Sequence, residues 1–325
     1  MKNLKFAALL GAFAALAVPA AAQDNFPNKP IQLMVAYPAG GSTDIGARIV
    51  ASIAEKAFGQ PVVVVNKGGA GGQIGWTELS RQKPDGYYIG YVNLPGINTT
   101  IADPDRKAIF KADSFTTIIN QVLDPGAIWV RAESPFKTLK DIIDAAKAKP
   151  GTLRAATTGI LSDDHLAILM TEEAAPGVKF RVVHLAGGAP MLKETLAGNI
   201  DVAFDNVGSI LKQVQAGKVR PIAVLDNERS KFLPDVPTAK ELGYPTMISS
   251  STRGIAGPAG MDPKVVAKLR DTLKAAMEDP GHVEKMENVG LAIKVMTDDE
   301  YKTYFDGVQK QAEKYTAWAK KMQGK

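Results

Sequence analysis

Residues 31–54 read IQLMVAYPAGGSTDIGARIVASIA, and this stretch constrains the fold more than any other. An apolar run breaks at a Pro-Gly-Gly turn, passes through Ser42, Thr43 and Asp44, and resumes with apolar residues at helical spacing. That order is a strand, a tight turn and a helix N-terminus. The first N–H groups of such a helix have no intrahelical acceptor, and its dipole places about half a positive charge there. An anion can be held at such a turn.

The same grammar runs along the chain. IQLMVAY is a strand, and STDIGARIVASIAEKAFG a helix capped at Ser42 or Thr43 and stopped by Gly59. PVVVVN reads as a buried strand, GGAGGQIGWTELS as a glycine turn feeding a helix, and YYIGYVN as a third strand. A second series starts near Asp124 with the strand AIWVRA and continues through LRAATTG, FRVVHL, IDVAFDN and VRPIAVLD, each separated by a helical segment. Alternation of this kind implies an α/β fold with a mainly parallel sheet and right-handed crossovers. Pro and Gly punctuation between Phe232 and Pro263 marks a second passage between two α/β units. The tail carries two clear helices. Asp262 caps the first, with Pro263 at its first position, and the second places Tyr301, Tyr304, Phe305, Val308, Ala312 and Tyr315 on one core-facing stripe.

The beginning of the chain reads as a secretory signal. Lys2 and Lys5 precede an apolar run from Phe6 to Val18, and Ala20-Ala21-Ala22 supplies a cleavage site. The run is shorter than the ~20 residues a spanning helix needs. The mature chain is expected to be exported and to start near Gln23, without a membrane span. Of the formal net charge of +5, two charges belong to Lys2 and Lys5. The rest are interleaved with acids, and no basic block with aromatics suggests a nucleic-acid surface. The absence of cysteine excludes disulfides, thiol catalysis and thiolate metal sites. The length favours two domains.

Familiar motifs fail on spacing. Neither PAGGSTD nor KGGAGGQIG has the Lys-Ser/Thr of a phosphate loop. In the second, Gly69 and Gly71 fit a dinucleotide fingerprint but Ile74 stands where its third glycine belongs. There is no G-x-S-x-G elbow and no H-E-x-x-H. His282 lies in a charged segment that reads as exposed, and His184 reads as a hydrogen-bonded structural residue at a strand end. Ser162-Asp163-Asp164-His165 is better explained by acids at a helix N-terminus than by a metal site. No cofactor, metal or catalytic residue is assigned. What recurs is the strand–small turn–helix unit: AYPAGGSTD in the first series, AATTGILSDD and VHLAGGAP in the second. Each aims N–H groups at the C-terminal edge of a sheet, where open α/β folds bind ligands. A small carboxylate suits such a cleft.

These segments, together with VVVVNKGGAGGQIG, KPDGYYIGY, SPFKTLKDIIDAAKAKPG, LPDVPTAKELG and RGIAGPAGMDPKVV, resemble the substrate-binding proteins of tripartite tricarboxylate transporters, the Bug-type receptors. The resemblance runs nearly end to end. It implies a two-lobed, type II-like periplasmic-binding-protein fold: two α/β domains joined by two crossing strands around a central ligand cleft. By position, the signal covers 1–22, lobe 1 residues 23–124 and 254–325, and lobe 2 residues 125–253. It implies a monomeric receptor that takes a di- or tricarboxylate or an aromatic acid, delivers it to membrane transporter subunits and catalyses nothing. The resemblance implies a carboxylate loop at Tyr37, Ala39, Gly40, Gly41, Ser42, Thr43 and Asp44, with N–H donors around Gly40 to Thr43. It implies a second loop at Ala186, Gly187, Gly188 and Ala189, hydroxyls at Thr157 and Thr158, and an acceptor at Asp205. The chain departs from the family pattern at Leu161, Asp163 and Asp164, which make the second-lobe rim bulkier and more acidic, and at Gly68. Asn93 and Asn98 are weak candidates. Arg253 stands where an aromatic is common, and would pair either with a second ligand carboxylate or with an acid at the hinge. An exported enzyme using His184 or Asp205, and a receptor serving a sensor, are the competing readings.

Overall fold

The structure, a computed structural model, describes residues 25–322 and 324; the signal segment and its cleavage site lie outside them. Strands β1 (Ile31–Val35), β2 (Val62–Asn66) and β3 (Tyr88–Leu94) pair in parallel, in the order β2-β1-β3. Beyond β3 the sheet turns antiparallel. β9 (Ser250–Pro258) pairs with β3 and with the first half of β4 (Phe115–Arg131), whose other edge takes β10 (Ile293–Thr297). The sheet is therefore mixed rather than mainly parallel, because the returning chain enters beside an outgoing one.

β4 is the element that organises the molecule. The expected strand AIWVRA is only its last third. From Gly126 onward β4 leaves β9 and becomes part of a second sheet, between β7 (Val202–Asn206) and β8 (Val219–Leu225). β5 (Arg154–Thr157) and β6 (Arg181–His184) extend that sheet in parallel with β7. At the passage, Pro125 stands opposite Ser250 and the Gly126 N–H donates to the Ser249 carbonyl at 2.8 Å. A Cβ on Gly126 would stand 3.1 Å from that carbonyl oxygen, so the two chains approach this closely only because a glycine is there.

Each sheet is covered on both faces, as side-chain alternation requires. In the first, Leu33 and Val35 face α1 (Ser42–Phe58) and α8 (Pro263–Glu278), packing against Val50, Ala54, Leu269 and Leu273. Met34 and Ala36 face the opposite way, onto Trp76 of α2 (Gln73–Ser80) and Ile97 of α3 (Gly96–Ala102). In the second, Ile128 and Val130 pack on α4 (Leu139–Ala148) and α5 (Asp163–Ala174), while Ala127 and Trp129 pack beneath α6 (Gly188–Leu196) and α7 (Val207–Gln215). Each fully buried large side chain contributes about 1.5–3 kcal/mol.

Helix α10 (Asp298–Met322) ties the two sheets from outside. Tyr301 and Phe305 are buried under the first, as the aromatic stripe predicts. Its far end lies on α5: Ala319 and Trp318 join Leu166 and Leu169, and the Trp318 indole N–H donates to Glu173 at 3.1 Å.

Several local expectations are corrected. β2 is the outer strand of its sheet, with Val63 exposed, rather than a buried one; its β-branched run reflects strand preference, not depth. The N-cap of α1 is Gly41, and neither Ser42 nor Thr43 caps it; the C-cap is Gly59, left-handed as expected. Asp262 caps α8 as expected, its carboxylate accepting from the Lys264 N–H. His282 is buried, not solvated. It sits on α9 (Pro280–Asn288), a third tail helix, where His282 and Met286 share the face turned to α1 and the ring lies 3.0 Å from the Gln121 amide. Burial holds its imidazole below the ordinary histidine range. No helix among the described residues is long and apolar enough to cross a membrane.

Candidate functional site

The turn after β1 is braced from behind. Asp44, in the first turn of α1, accepts from the Gly40 N–H at 2.9 Å, from the Arg48 guanidinium at 2.9 to 3.0 Å and from the Asn66 amide at 2.9 Å. Burial would raise its carboxyl, but Arg48, Gly40 and Asn66 together hold it below its ordinary value. Gly40 therefore spends its N–H internally. The donors left facing forward are those of the first helical turn from Ser42, which helix geometry leaves without intrahelical acceptors.

Opposite stands the turn between β6 and α6. Gly187 holds a left-handed φ of 132°, and a Cβ there would meet Pro38 at 3.3 Å, so the two turns nearly touch. The Ser42 hydroxyl lies 3.0 Å from that of Ser209 on α7, and Thr99 on α3 donates to the Leu161 carbonyl at 2.8 Å. The facing walls enclose a cavity of about 40 Å³ lined by Tyr37, Gly41, Ser42, Thr43, Asn93, Thr158, Asp163, Gly188, Asp205, Asn206, Ser251 and Arg253.

Eight of the residues anticipated from sequence stand in this wall: Tyr37, Gly41, Ser42, Thr43, Thr158, Gly188, Asp205 and Arg253. The others flank it. Ala39, Gly40, Ala186, Gly187 and Ala189 build the two turns, Asp44 braces the first, and Thr157 bonds the His184 ring at 2.8 Å behind β5. Asn93 lines the cavity and donates to Thr43 at 3.1 Å, whereas Asn98 turns away to Gln309 on α10.

Arg253, a wall residue, also meets an acid at the hinge. Its Nη2 stands 2.8 Å from the Asp124 carboxylate on β4, and both side chains are almost wholly buried. The same nitrogen donates to Asn206 at 3.2 Å. Its Nε and Nη1 have no hydrogen-bond partner among the described residues.

Asp163, Asn206 and Ser251 belong to the wall but were not among the site residues read from sequence. The Asp163 carboxylate accepts from the Asn206 amide at 2.9 Å. Asp164, just behind, accepts from the backbone N–H and hydroxyl of Thr158. Asp205 accepts from the Asn206 N–H at 2.8 Å and the Ser209 hydroxyl at 2.9 Å. Burial pushes all three carboxyls up; nearby carboxylates add to the shift of Asp164 and Asp205, whereas Asn206 and Arg253 oppose that of Asp163, and Asp205 is raised to about 7. The Tyr37 phenol is likewise raised by burial and by Asp163 and Asp164. The signal that could have found Asp163 was present: it opens a helix after a glycine turn at a sheet edge, as Ser42 does. Asn206 could have been found as the last residue of the strand bearing Asp205.

Two α/β lobes, two passages of chain between them and a polar cleft at the strand ends define a two-lobed periplasmic binding protein. The chain belongs to the tripartite tricarboxylate transporter family receptors, whose family model matches residues 46–322. It is 35% identical over 301 residues to the UPF0065 protein in the gbd 5' region of Cupriavidus necator, covering 91% of this chain and 89% of that one. The solved periplasmic binding protein BugD is 29% identical with a TM-score of 0.79, covering 92% of this chain and 98% of its own. An R. palustris protein solved with adipate is 25% identical with a TM-score of 0.85, covering 90% and 98%.

Proposed function

We propose that this protein is an exported receptor that captures a small organic carboxylate between lobe 1 (residues 23–124 and 254–325) and lobe 2 (residues 125–253). It then delivers the ligand, unchanged, to the membrane subunits of a tripartite tricarboxylate transporter from the periplasm. The observation that carries this reading is the pair of glycine turns opening α1 and α6, face to face across one cavity. One ligand carboxylate is seated on the first turn of α1 at Gly41, Ser42 and Thr43, with Gly188 and Thr158 opposite. The adipate-bound R. palustris relative supports a carboxylate as the ligand class. Charge-assisted hydrogen bonds contribute about 1.5–3 kcal/mol each, so four or five reach the ~8 kcal/mol of micromolar affinity after ordering costs.

The enclosed 40 Å³ is far below the roughly 150 Å³ that accommodates a benzene-sized molecule. A multi-carbon acid therefore enters with the lobes further apart than the Ser42–Ser209 contact allows. A thermal-shift screen of the mature protein against di- and tricarboxylates, aromatic acids, amino acids and sugars tests the reading. Ligand at ~100 times its dissociation constant adds about 2.7 kcal/mol of stability. Upward shifts confined to carboxylates are expected; shifts with uncharged compounds alone would overturn it. Calorimetry followed by recovery of the ligand tests the enzyme alternative, since a receptor returns its ligand unaltered.

A further inference from the structure

Ser251 and Arg253 of β9 and Asn93 of β3 line the cleft, whereas their sequence neighbours Ser250 and Leu94 line a different cavity. Successive strand residues point to opposite faces, so this second space lies behind the strands that wall the cleft. It measures about 400 Å³, against about 40 Å³ for the cleft and the roughly 150 Å³ that accommodates benzene. Ligand pockets for small molecules begin at about 300 Å³.

Helix α10 forms one wall, where Tyr304, Gly307, Val308, Gln311 and Tyr315 recur at helical spacing. Leu166 and Met170, one turn apart on α5, form another, and Pro95 and Ile248 contribute to the rest. Ile248 is 40% exposed, so the cavity reaches the surface there. Because α10 is rooted on the first sheet and α5 packs on the second, an occupant would touch both.

Gly307 is a second, independent observation. It lies inside a 25-residue helix, where glycine is less favourable than alanine, yet a Cβ there would meet nothing within 4 Å. Neither close packing nor a left-handed turn calls for glycine at this position. What its missing side chain leaves is room in the cavity. The lining is also without charge to offer. No Lys, Arg, His or Glu belongs to it among the described residues, and the carboxylate of Asp163 is engaged by the Asn206 amide at 2.9 Å. Apolar surface, two tyrosine rings, a thioether and the neutral groups of Ser250 and Gln311 remain. Nothing there compensates a buried ligand charge.

We propose that this cavity is a second ligand site, separate from the cleft, that takes an uncharged aromatic alcohol. The ring packs among Tyr304, Tyr315, Leu166 and the Met170 sulfur, a favourable partner for an aromatic edge. The hydroxyl meets Ser250 and Gln311. The site does not depend on what the cleft holds.

Titration calorimetry on the mature protein with tryptophol and tryptamine, the same indole ring with a neutral and a positively charged tail, tests it. Tryptophol is expected to bind with a dissociation constant of about 0.1 mM or tighter, and at least about 10-fold tighter than tryptamine. Gly307→Leu, which puts a side chain into the cavity from a helical position open to a Cβ, is expected to weaken tryptophol at least about 10-fold. A crystal structure of the parent protein with tryptophol keeps the test if that variant fails to fold: the indole is expected between α10 and α5. Absence of saturable tryptophol binding, an affinity unchanged in Gly307→Leu, tryptamine binding as tightly as tryptophol, or an indole seated elsewhere overturns the site. None of these outcomes bears on the carboxylate reading of the cleft.

Discussion

The Arg253 guanidinium and the Asp124 carboxylate meet at 2.8 Å on neighbouring strands, at the point where the chain passes between the lobes. Both are buried, and breaking such a pair from one side strands a charge. Arg253→Met is expected to lower unfolding stability by about 3–5 kcal/mol. Adding Asp124→Leu to it should recover most of that loss, since the uncompensated charge goes too. Urea midpoints of the two variants check the order.

Gly41 has ordinary backbone angles, and a Cβ there would find nothing nearer than 3.8 Å. Gly41→Asp should therefore fold normally while placing a carboxylate in front of the α1 donors. Affinity for the best carboxylate ligand is expected to fall by about 100-fold, with the melting temperature of the free protein little changed. Calorimetry and a thermal scan on the same sample measure both.

Across the cleft, Gly159 faces Gly71 so closely that a Cβ would lie 3.0 Å from the Gly71 Cα. No flexible side chain is there to yield. Gly159→Ala, at a φ of 157°, should keep the lobes from closing fully and weaken ligand binding by about 10-fold through overpacking. A variant binding as tightly as the parent would show that closure does not bring these two glycines together.

Acid should stabilise the free protein over part of the pH range. Asp205, raised to about 7 by burial and by Asp163 with Arg253 opposing, keeps a proton in the folded state between about pH 4 and 7 that the unfolded chain has released. Where the folded state binds more protons, stability falls as pH rises. The charged groups acting on Asp205 are Asp163 and Arg253, on α5 and β9, and Asp164 on α5 lies within its field; both α5 carboxyls are shifted upward as well. Unfolding free energy is expected to drop by on the order of 4 kcal/mol between pH 4 and 8, and Asp205→Asn to flatten the slope. Denaturant titrations at four pH values would reveal a level or rising curve if the wall titrates normally.

Elements with a strong local signature were legible in the sequence, and the donor turn was among them. IQLMVAYPAGGSTD declares its strand, turn and helix within fourteen residues, and Asp262-Pro263 announces α8. What was hidden depends on contacts between distant segments. PVVVVN carries a strand's composition but nothing that says it lies at the sheet margin. His282 reads as solvated until α9 folds onto α1. Asp163 reads as a helix-start acid and, by the resemblance, as part of the second-lobe rim, but its hydrogen bond from Asn206 on another strand is visible only in the fold. The pairing of Arg253 with Asp124, 129 positions away, could be posed as an alternative from sequence but decided only in three dimensions.

Two strands running side by side, Pro125 against Ser250, form a ribbon that by itself would let the lobes swing and twist alike. Helix α10 changes the mechanics. Rooted on the first sheet through Tyr301 and Phe305, it rests its far end on α5 through Trp318 and Ala319, like a strut fixed across a door hinge. Opening can then follow only a path on which that end slides over α5 or lifts from it. Any parting of the lobes is thus resisted partly on an apolar seam between α10 and α5, away from the donor turns themselves.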